Sequence, residues 1–286
     1  MTRDSTACRR LPAATMPELP EVEVTRLGIA PAMIGRTLEA VVLGKPLRWP
    51  LGCDPHTLAG SLVTDVHRRG KYLLITLRER GVLALHLGMS GSMRVLPVAT
   101  PRGPHDHVDL VFAEHVVRLH DPRRFGALVH ADSASDPRLT KLLGRLGAEP
   151  LSPAFTPETL QAGFRGRSVS VKQALLAGDV VVGVGNIYAS EALFLARIHP
   201  ATRAGRIAPQ RLARLHAAIV QVLADAVRLG GSSLRDFVAS DGSHGHFQLS
   251  ARVYGRAGLP CTVCATPIRH IVQGQRSTYY CPRCQR

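Results

Sequence analysis

Between residues 37 and 130, apolar and polar positions alternate in short runs broken by Gly and Pro. The runs at 37–43, 61–68, 72–78, 82–87, 92–96 and 127–130 read as strands, and 108–112 with 116–119 as a hairpin. Short strands this closely spaced predict a β-sandwich or barrel. Ahead of them, residues 21–33 carry Val22, Leu27, Ile29 and Ala30 on an imperfect helical face, which Gly28 weakens and Gly35 ends. Residues 144–157 are rich in Gly and Pro and read as a hinge. Beyond them the period becomes helical, at 157–164, 172–176, 186–197, 209–228 and 233–238. The clearest helix begins at Pro209, with Leu212, Leu215, Ile219, Val222, Leu223 and Val227 in register. The pattern predicts an α+β chain: an N-terminal β-sandwich with one N-terminal helix over 16–146, a hinge over 147–156, a helical domain over 157–250 and a small unit over 251–286. Residues 1–15 show no period and read as an extension absent from the mature protein.

Composition sharpens this picture. The chain has 286 residues, is 45% hydrophobic and carries a formal charge of +15. That size suits about two domains with real cores, and that charge points to a polyanionic partner. No apolar run is long enough to span a membrane, and residues 1–15 hold no apolar signal core. Lys and Arg total 36, and only Lys45, Lys71, Lys141 and Lys172 are lysines. Arginine does not give up its proton at workable pH and lysine can, so each lysine is a candidate for chemistry.

Four of the six cysteines form Cys261-x2-Cys264-x16-Cys281-x2-Cys284. Two such knuckles make a tetrahedral four-thiolate zinc site, filled entirely by protein and therefore structural. Residues 251–286 hold six arginines and no acidic residue, which reads as a nucleic-acid contact on a zinc-stapled hairpin.

Other motifs leave two readings open. In Met16-Pro17-Glu18, trimming of a starting methionine would expose Pro17 as a secondary amine, a nucleophile with Glu18 beside it for proton transfer. The alternative is a stiff lead-in. Val182-Gly183-Val184-Gly185-Asn186 either turns its amides toward a phosphate, with Asn186 capping the next helix, or simply packs as a loop. Asp121-Pro122-Arg123-Arg124-Phe125-Gly126 is either a phosphate grip with an aromatic wedge or a turn with a core Phe. Met89, between glycines, is either a wedge or core. His105-Asp106-His107 resembles a metal pair without a third ligand nearby, so structural or phosphate-contact roles fit it better.

Taken together, these residues resemble the formamidopyrimidine-DNA glycosylase family. The likeness runs from Pro17 to Cys284 and includes PELPEVE at 17–23, RRGKYLL at 68–74, HLGMSGSMR at 86–94, HDHVDL at 105–110, DPRRFGA at 121–127, VVGVGNIYASEALF at 181–194, VYGRAGLPC at 253–261 and QRSTYYC at 275–281. The resemblance implies an N-terminal β-sandwich, a helix–two-turn–helix domain ending in a zinc finger, and DNA in the cleft between them. It implies a base-excision repair glycosylase and abasic-site lyase for 8-oxoguanine and formamidopyrimidines in double-stranded DNA, with one structural zinc. The implied enzyme is monomeric, bacterial in type and cytoplasmic.

It also implies roles. Pro17 is the Schiff-base nucleophile, Glu18 the acid that opens the sugar ring, Lys71 the amine of β-elimination and Arg276 the guanidinium of δ-elimination. Met89, Arg123 and Phe125 fill the gap left by the flipped nucleotide. His105, Arg123, Arg167 and Asn186 contact DNA, with Arg167 standing where many relatives have lysine. One departure matters: Met16 and fifteen further residues precede Pro17, and an amide nitrogen cannot form a Schiff base, so the 286-residue form is expected to be inactive. Two alternatives are an endonuclease VIII-like glycosylase for oxidised pyrimidines, whose start usually reads Pro-Glu-Gly-Pro-Glu, and a non-catalytic zinc-ribbon DNA-binding protein.

Overall fold

The computed structural model describes residues 16–231 and 251–286; the predicted extension at 1–15 and helix at 233–238 lie outside the described residues. In chain order the elements are α1 (Leu19–Met33), β1 (Thr37–Leu38), β2 (Ala40–Leu43), β3 (Ser61–Arg69), β4 (Tyr72–Leu77), β5 (Gly81–His86), β6 (Ser92–Pro97), β7 (Asp106–Val111), β8 (His115–His120) and β9 (Ala127–Ala131). Then come α2 (Pro137–Leu143), α3 (Pro157–Phe164), α4 (Val171–Ala177), α5 (Asn186–Leu195), α6 (Pro209–Arg228), β10 (Arg269–Gln273) and β11 (Arg276–Tyr280).

Two antiparallel sheets, β1-β3-β4-β5-β9 and β2-β7-β8-β6, face each other as the predicted sandwich. Leu73, Ile75, Leu83 and Leu85 of the first share a core with Val108, Leu110, Val117 and Leu119 of the second. The strand expected at 37–43 is in fact two. The chain crosses between sheets at Glu39, whose N–H donates to the Val111 carbonyl at 2.8 Å. Uniform alternation cannot show that break, because both halves keep an inward apolar residue, Leu38 and Val41.

Helix α1 lies against β3 and α6, with Leu19, Val22, Ile29 and Met33 buried. It starts two residues earlier than its apolar pattern suggests, because Glu18 and Glu21 close a capping box across its first turn. The α6 periodicity holds, with Leu212, Leu215, Ile219, Val222 and Leu223 buried. Helix α2 is an addition to the predicted elements, although Asp136-Pro137 is a helix start: the Asp136 side chain accepts from the Arg138 N–H. Among the described residues, no helix is long and apolar enough to cross a membrane.

The stretch read as a hinge is fastened on both sides. Ala148 bridges Val181, and Glu149 accepts from Arg68 at 2.6 Å, from Arg69 at 3.0 Å and from the Gly70 N–H at 2.6 Å. The β3–β4 turn is therefore held against the second domain. Gly70 adopts φ +60°, and a Cβ there would lie 2.5 Å from Val182 Cγ2. Glu149→Ala should strip acceptors from two arginines and a backbone amide and cost roughly 2–3 kcal/mol in urea unfolding. A change below about 0.5 kcal/mol would show that the clamp does not hold the domains.

Candidate active site

The site begins with Glu18. Its side chain is 2% exposed, and its oxygens accept from the Ile187 N–H at 3.1 Å and the Tyr188 N–H at 3.4 Å, the first amides of α5. Gly185 makes this possible: a Cβ there would sit 2.0 Å from the Glu18 carboxyl carbon. Gly183, at φ +82°, clears Leu19 in the same way, and its carbonyl accepts from the Leu19 N–H at 3.1 Å. The 182–186 loop thus makes room for the chain's own carboxylate, which takes the α5 amides that a phosphate would have used. The helix N-cap is Gly185, not Asn186. Glu21, fully buried in α1, braces Glu18 by accepting its backbone N–H at 2.8 Å and the Tyr188 hydroxyl at 2.5 Å.

Burial pushes the Glu18 carboxyl up to about 7, against the opposing pull of the Lys71 ammonium and the two α5 amides. Lys71 sits half-buried in the β3–β4 turn beside Gly70. Burial and the Arg276 guanidinium depress its amine, while Glu18 raises it. Arg276 is exposed where the β10–β11 turn enters β11. Pro17 is buried directly before Glu18. The four residues expected to carry chemistry therefore meet at one place, drawn from α1, a sandwich turn and the C-terminal hairpin.

Lys172 belongs to the same place, and of its role only the rarity of lysine gives a hint. It is 1% exposed in α4, and its ammonium donates to the Ser277 carbonyl at 3.0 Å and Thr278 Oγ1 at 2.8 Å. Burial brings its amine down to about 7. Asn186 donates to the same Ser277 carbonyl at 3.0 Å, so α4 and α5 together fix the backbone next to Arg276. Glu191, buried in α5, accepts from the Arg252, Val253 and Tyr254 amides at 2.8–2.9 Å and anchors the lead-in to the hairpin.

The wedge candidates form a second group. Met89 is half-buried at the tip of the β5–β6 turn. Phe125 is 42% exposed with the Arg123 guanidinium 5.1 Å from its ring centre, which rules out a core Phe. Buried Asp121 joins the two loops by accepting from Ser90 Oγ at 2.6 Å and from the Gly126 N–H at 2.7 Å. Beside them, His86 Nδ1 accepts from the Gly88 N–H at 3.0 Å, and burial, with Lys71 and Arg48, pushes the ring down to about 4. It is a neutral imidazole at physiological pH, and no local pattern in the sequence singles it out.

The remaining candidates scatter. His105 is exposed and edge-on to His120. Asp106 accepts from His120 at 2.8 Å and, with Arg118, is committed to structure, so the His105-Asp106-His107 triplet is no metal pair. Arg167 is paired with Asp179 at 2.8 Å.

The sulfurs of Cys261, Cys264, Cys281 and Cys284 lie within 4.8 Å of one another, with separations of 3.4, 3.5 and 3.9 Å among them. Tetrahedral zinc with bonds of about 2.3 Å needs sulfurs about 3.8 Å apart. Backbone N–H groups of Val263 and Cys284 each donate to a cysteine sulfur at 3.4 Å, which favours thiolates. The four residues fit a structural zinc, and among the described residues no other such cluster occurs.

Family models agree with this layout. Residues 16–128 match the formamidopyrimidine-DNA glycosylase N-terminal domain, 146–238 the formamidopyrimidine-DNA glycosylase H2TH domain and 258–286 the zinc finger found in FPG and IleRS. The chain belongs to the formamidopyrimidine-DNA glycosylase family. It is 60% identical to the formamidopyrimidine-DNA glycosylase of Acidovorax sp. JS42 over 271 residues, covering 95% of this chain and 100% of the relative. The Variovorax paradoxus enzyme gives the same identity and coverage. The crystal structure of MutM (Fpg) from Thermus thermophilus superposes with a TM-score of 0.85 at 41% identity, covering 94% of this chain and 98% of that one. A Lactococcus lactis Fpg mutant bound to Fapy-dG-containing DNA also scores 0.85, at 32% identity and with 94% and 100% coverage.

The buried Glu18 carboxyl has a consequence for stability. It titrates near 7 in the folded chain against 4.5 ordinarily, so across that window the folded state keeps a proton that the unfolded state has lost. Stability should therefore fall as pH rises from about 4.5 to 7, by on the order of 3 kcal/mol. Glu18→Gln, and Gly185→Ala by expelling the carboxyl, should flatten the slope. An unchanged slope in Glu18→Gln would place the titration elsewhere.

Proposed function

We propose that the protein removes oxidised purines, 8-oxoguanine and formamidopyrimidines, from double-stranded DNA and then cuts the abasic strand by β,δ-elimination. The observation that carries this is the Glu18 carboxyl, next in chain to Pro17 and titrating at about 7, with Lys71 acting on it and Arg276 acting on Lys71. The lesion is flipped from the stack, and Arg123, Phe125 and Met89, joined through Asp121 and Ser90, occupy the gap and offset the unstacking. The Pro17 amine attacks C1′ of the sugar as the base departs with the glycosidic electron pair and takes up the proton that the amine nitrogen sheds. Glu18 protonates the ring oxygen as the C1′–O bond opens, leaving an iminium between Pro17 and C1′. That cation acidifies the C2′ hydrogen. Lys71, whose amine burial lowers, assists loss of the 3′ phosphate, and Arg276 offsets the charge of the 5′ phosphate that leaves second. His105, Asn186 and Arg167 contact the backbone, Arg167 after giving up Asp179.

Pro17 can do this only as a free secondary amine. The active form is therefore one that starts at Pro17 after loss of Met16, and residues 1–15 are no part of it; the family match beginning at residue 16 supports this. The enzyme acts as a monomer on DNA and resides with it in the cytoplasm. Zinc held by Cys261, Cys264, Cys281 and Cys284 would supply a fixed crosslink at the base of the hairpin that carries Arg276. Leu19, fully buried against Gly183, follows the purine-directed pattern at the position where the pyrimidine-directed group has glycine.

In a panel of lesion duplexes, a chain beginning at Pro17 should excise 8-oxoguanine faster than oxidised pyrimidines; the reverse order would favour the endonuclease VIII-like alternative. Lys71→Arg keeps the charge and loses the amine. It should bind lesion DNA within a few-fold of the parent yet excise 8-oxoguanine roughly 100-fold more slowly. Equal single-turnover rates would remove Lys71 from the chemistry.

A further inference from the structure

The zinc hairpin has two ends. Its tip carries Arg276 to the reacting centre. Its strands of five residues place the cysteine knuckles about 16 Å away at the other end. There the knuckles, the end of α5 and the first turns of α6 surround a depression of about 700 Å³. Arg197, Arg211, Arg214, Arg283 and Arg286 line it, Val263 is also in its wall, and no carboxylate side chain is. Among the described residues none of these five guanidinium groups forms an ion pair with an acidic side chain. Arg211 is held in place by donating to the backbone carbonyl of Arg197 and to a main-chain oxygen of the last residue, Arg286, whose carboxylate offsets one of the five charges. Arg197 itself has φ +56°, one residue beyond the α5 C-cap, in the left-handed region that glycine enters freely. An arginine there accepts backbone strain and places a guanidinium in the depression.

We propose that this depression is a second nucleic-acid contact, gripping backbone phosphates of a DNA segment other than the one that carries the lesion. The proposal rests on reading the protein as a DNA enzyme. Guanidinium forks pair with phosphate oxygens two at a time, and such contacts need charge alone. A protein partner would need apolar or aromatic anchors, and the wall offers only Val263. Holding two segments at once allows the enzyme to pass from one to the other without returning to bulk solvent.

The test counts duplexes per protein by sedimentation of a mixture with two differently labelled short duplexes, one bearing 8-oxoguanine and one undamaged. The parent should form a one-to-two complex at low salt. Arg214→Glu and Arg197→Gly should each bind the second duplex roughly tenfold more weakly, with the salt slope shallower by about 0.9 for each phosphate no longer gripped. Both should excise 8-oxoguanine at the parental rate. Arg197→Gly should also melt no lower than the parent, since glycine relieves the backbone. A parent that binds only one duplex, or variants that bind the second as well as the parent, would overturn the proposal. So would loss of excision in step with the second duplex, which would assign the arginines to the cleft. Calorimetry with tripolyphosphate separates a free-phosphate site: its binding without a second duplex also overturns the proposal. A parent that excises nothing while the two-duplex complex and its loss in the variants stand would count against the proposed function and leave the second contact intact.

Discussion

The two carboxylate oxygens of Glu18 accept from the first amides of α5, and much of the molecule is arranged so that they can. A carboxylate at a helix N-terminus is favoured by the helix dipole, but full burial opposes its charge, and the balance leaves its titration near neutral pH. The contact needs Gly185 without a side chain, Glu21 to hold the backbone and Leu19 seated on Gly183. These residues come from distant parts of the chain. Their meeting ties α1 of the sandwich domain to the helical domain and sets Pro17 at the junction. A structural joint and a carboxyl that titrates near neutral pH are thus the same side chain.

The second arrangement concerns amines. In an arginine-dominated chain, Lys71 and Lys172 stand beside Arg276 and Glu18, and burial lowers both. Lys172 commits its ammonium to the hairpin backbone, which makes it a positioning residue for Arg276. Lys71 has a looser setting in a turn that Glu149 pins from the other domain. The four cysteines, Glu191 and Lys172 therefore act on one quantity, the place of the hairpin that carries Arg276.

Most of the architecture is legible in the chain: the sandwich strands, α6 and the four cysteines each depend on local periodicity or spacing. The break at Glu39 is not, because each half of the 37–43 run looks like a strand by itself. The N-terminus of α5 is misleading for a related reason. Glycines beside a helix start advertise an anion site, and the sequence does not say that the anion is a glutamate 169 or 170 positions away in the chain. The roles of Glu191, Asp121 and His86 likewise follow from contacts between distant segments. Their residue types are common, and no local pattern marks them. Lys172 is intermediate: rarity flags it, but its partners do not show.

The central claim is that the Pro17 nitrogen, and neither nearby lysine, carries the covalent intermediate. Borohydride reduction of a chain beginning at Pro17 on 8-oxoguanine duplex, followed by nuclease and protease digestion and peptide mass mapping, tests it directly. The sugar remnant is expected on the N-terminal peptide at Pro17, with no adduct from a chain in which Pro17 remains in a peptide bond. An adduct on Lys71 or Lys172, or equal trapping of the extended chain confirmed intact by mass, would contradict it.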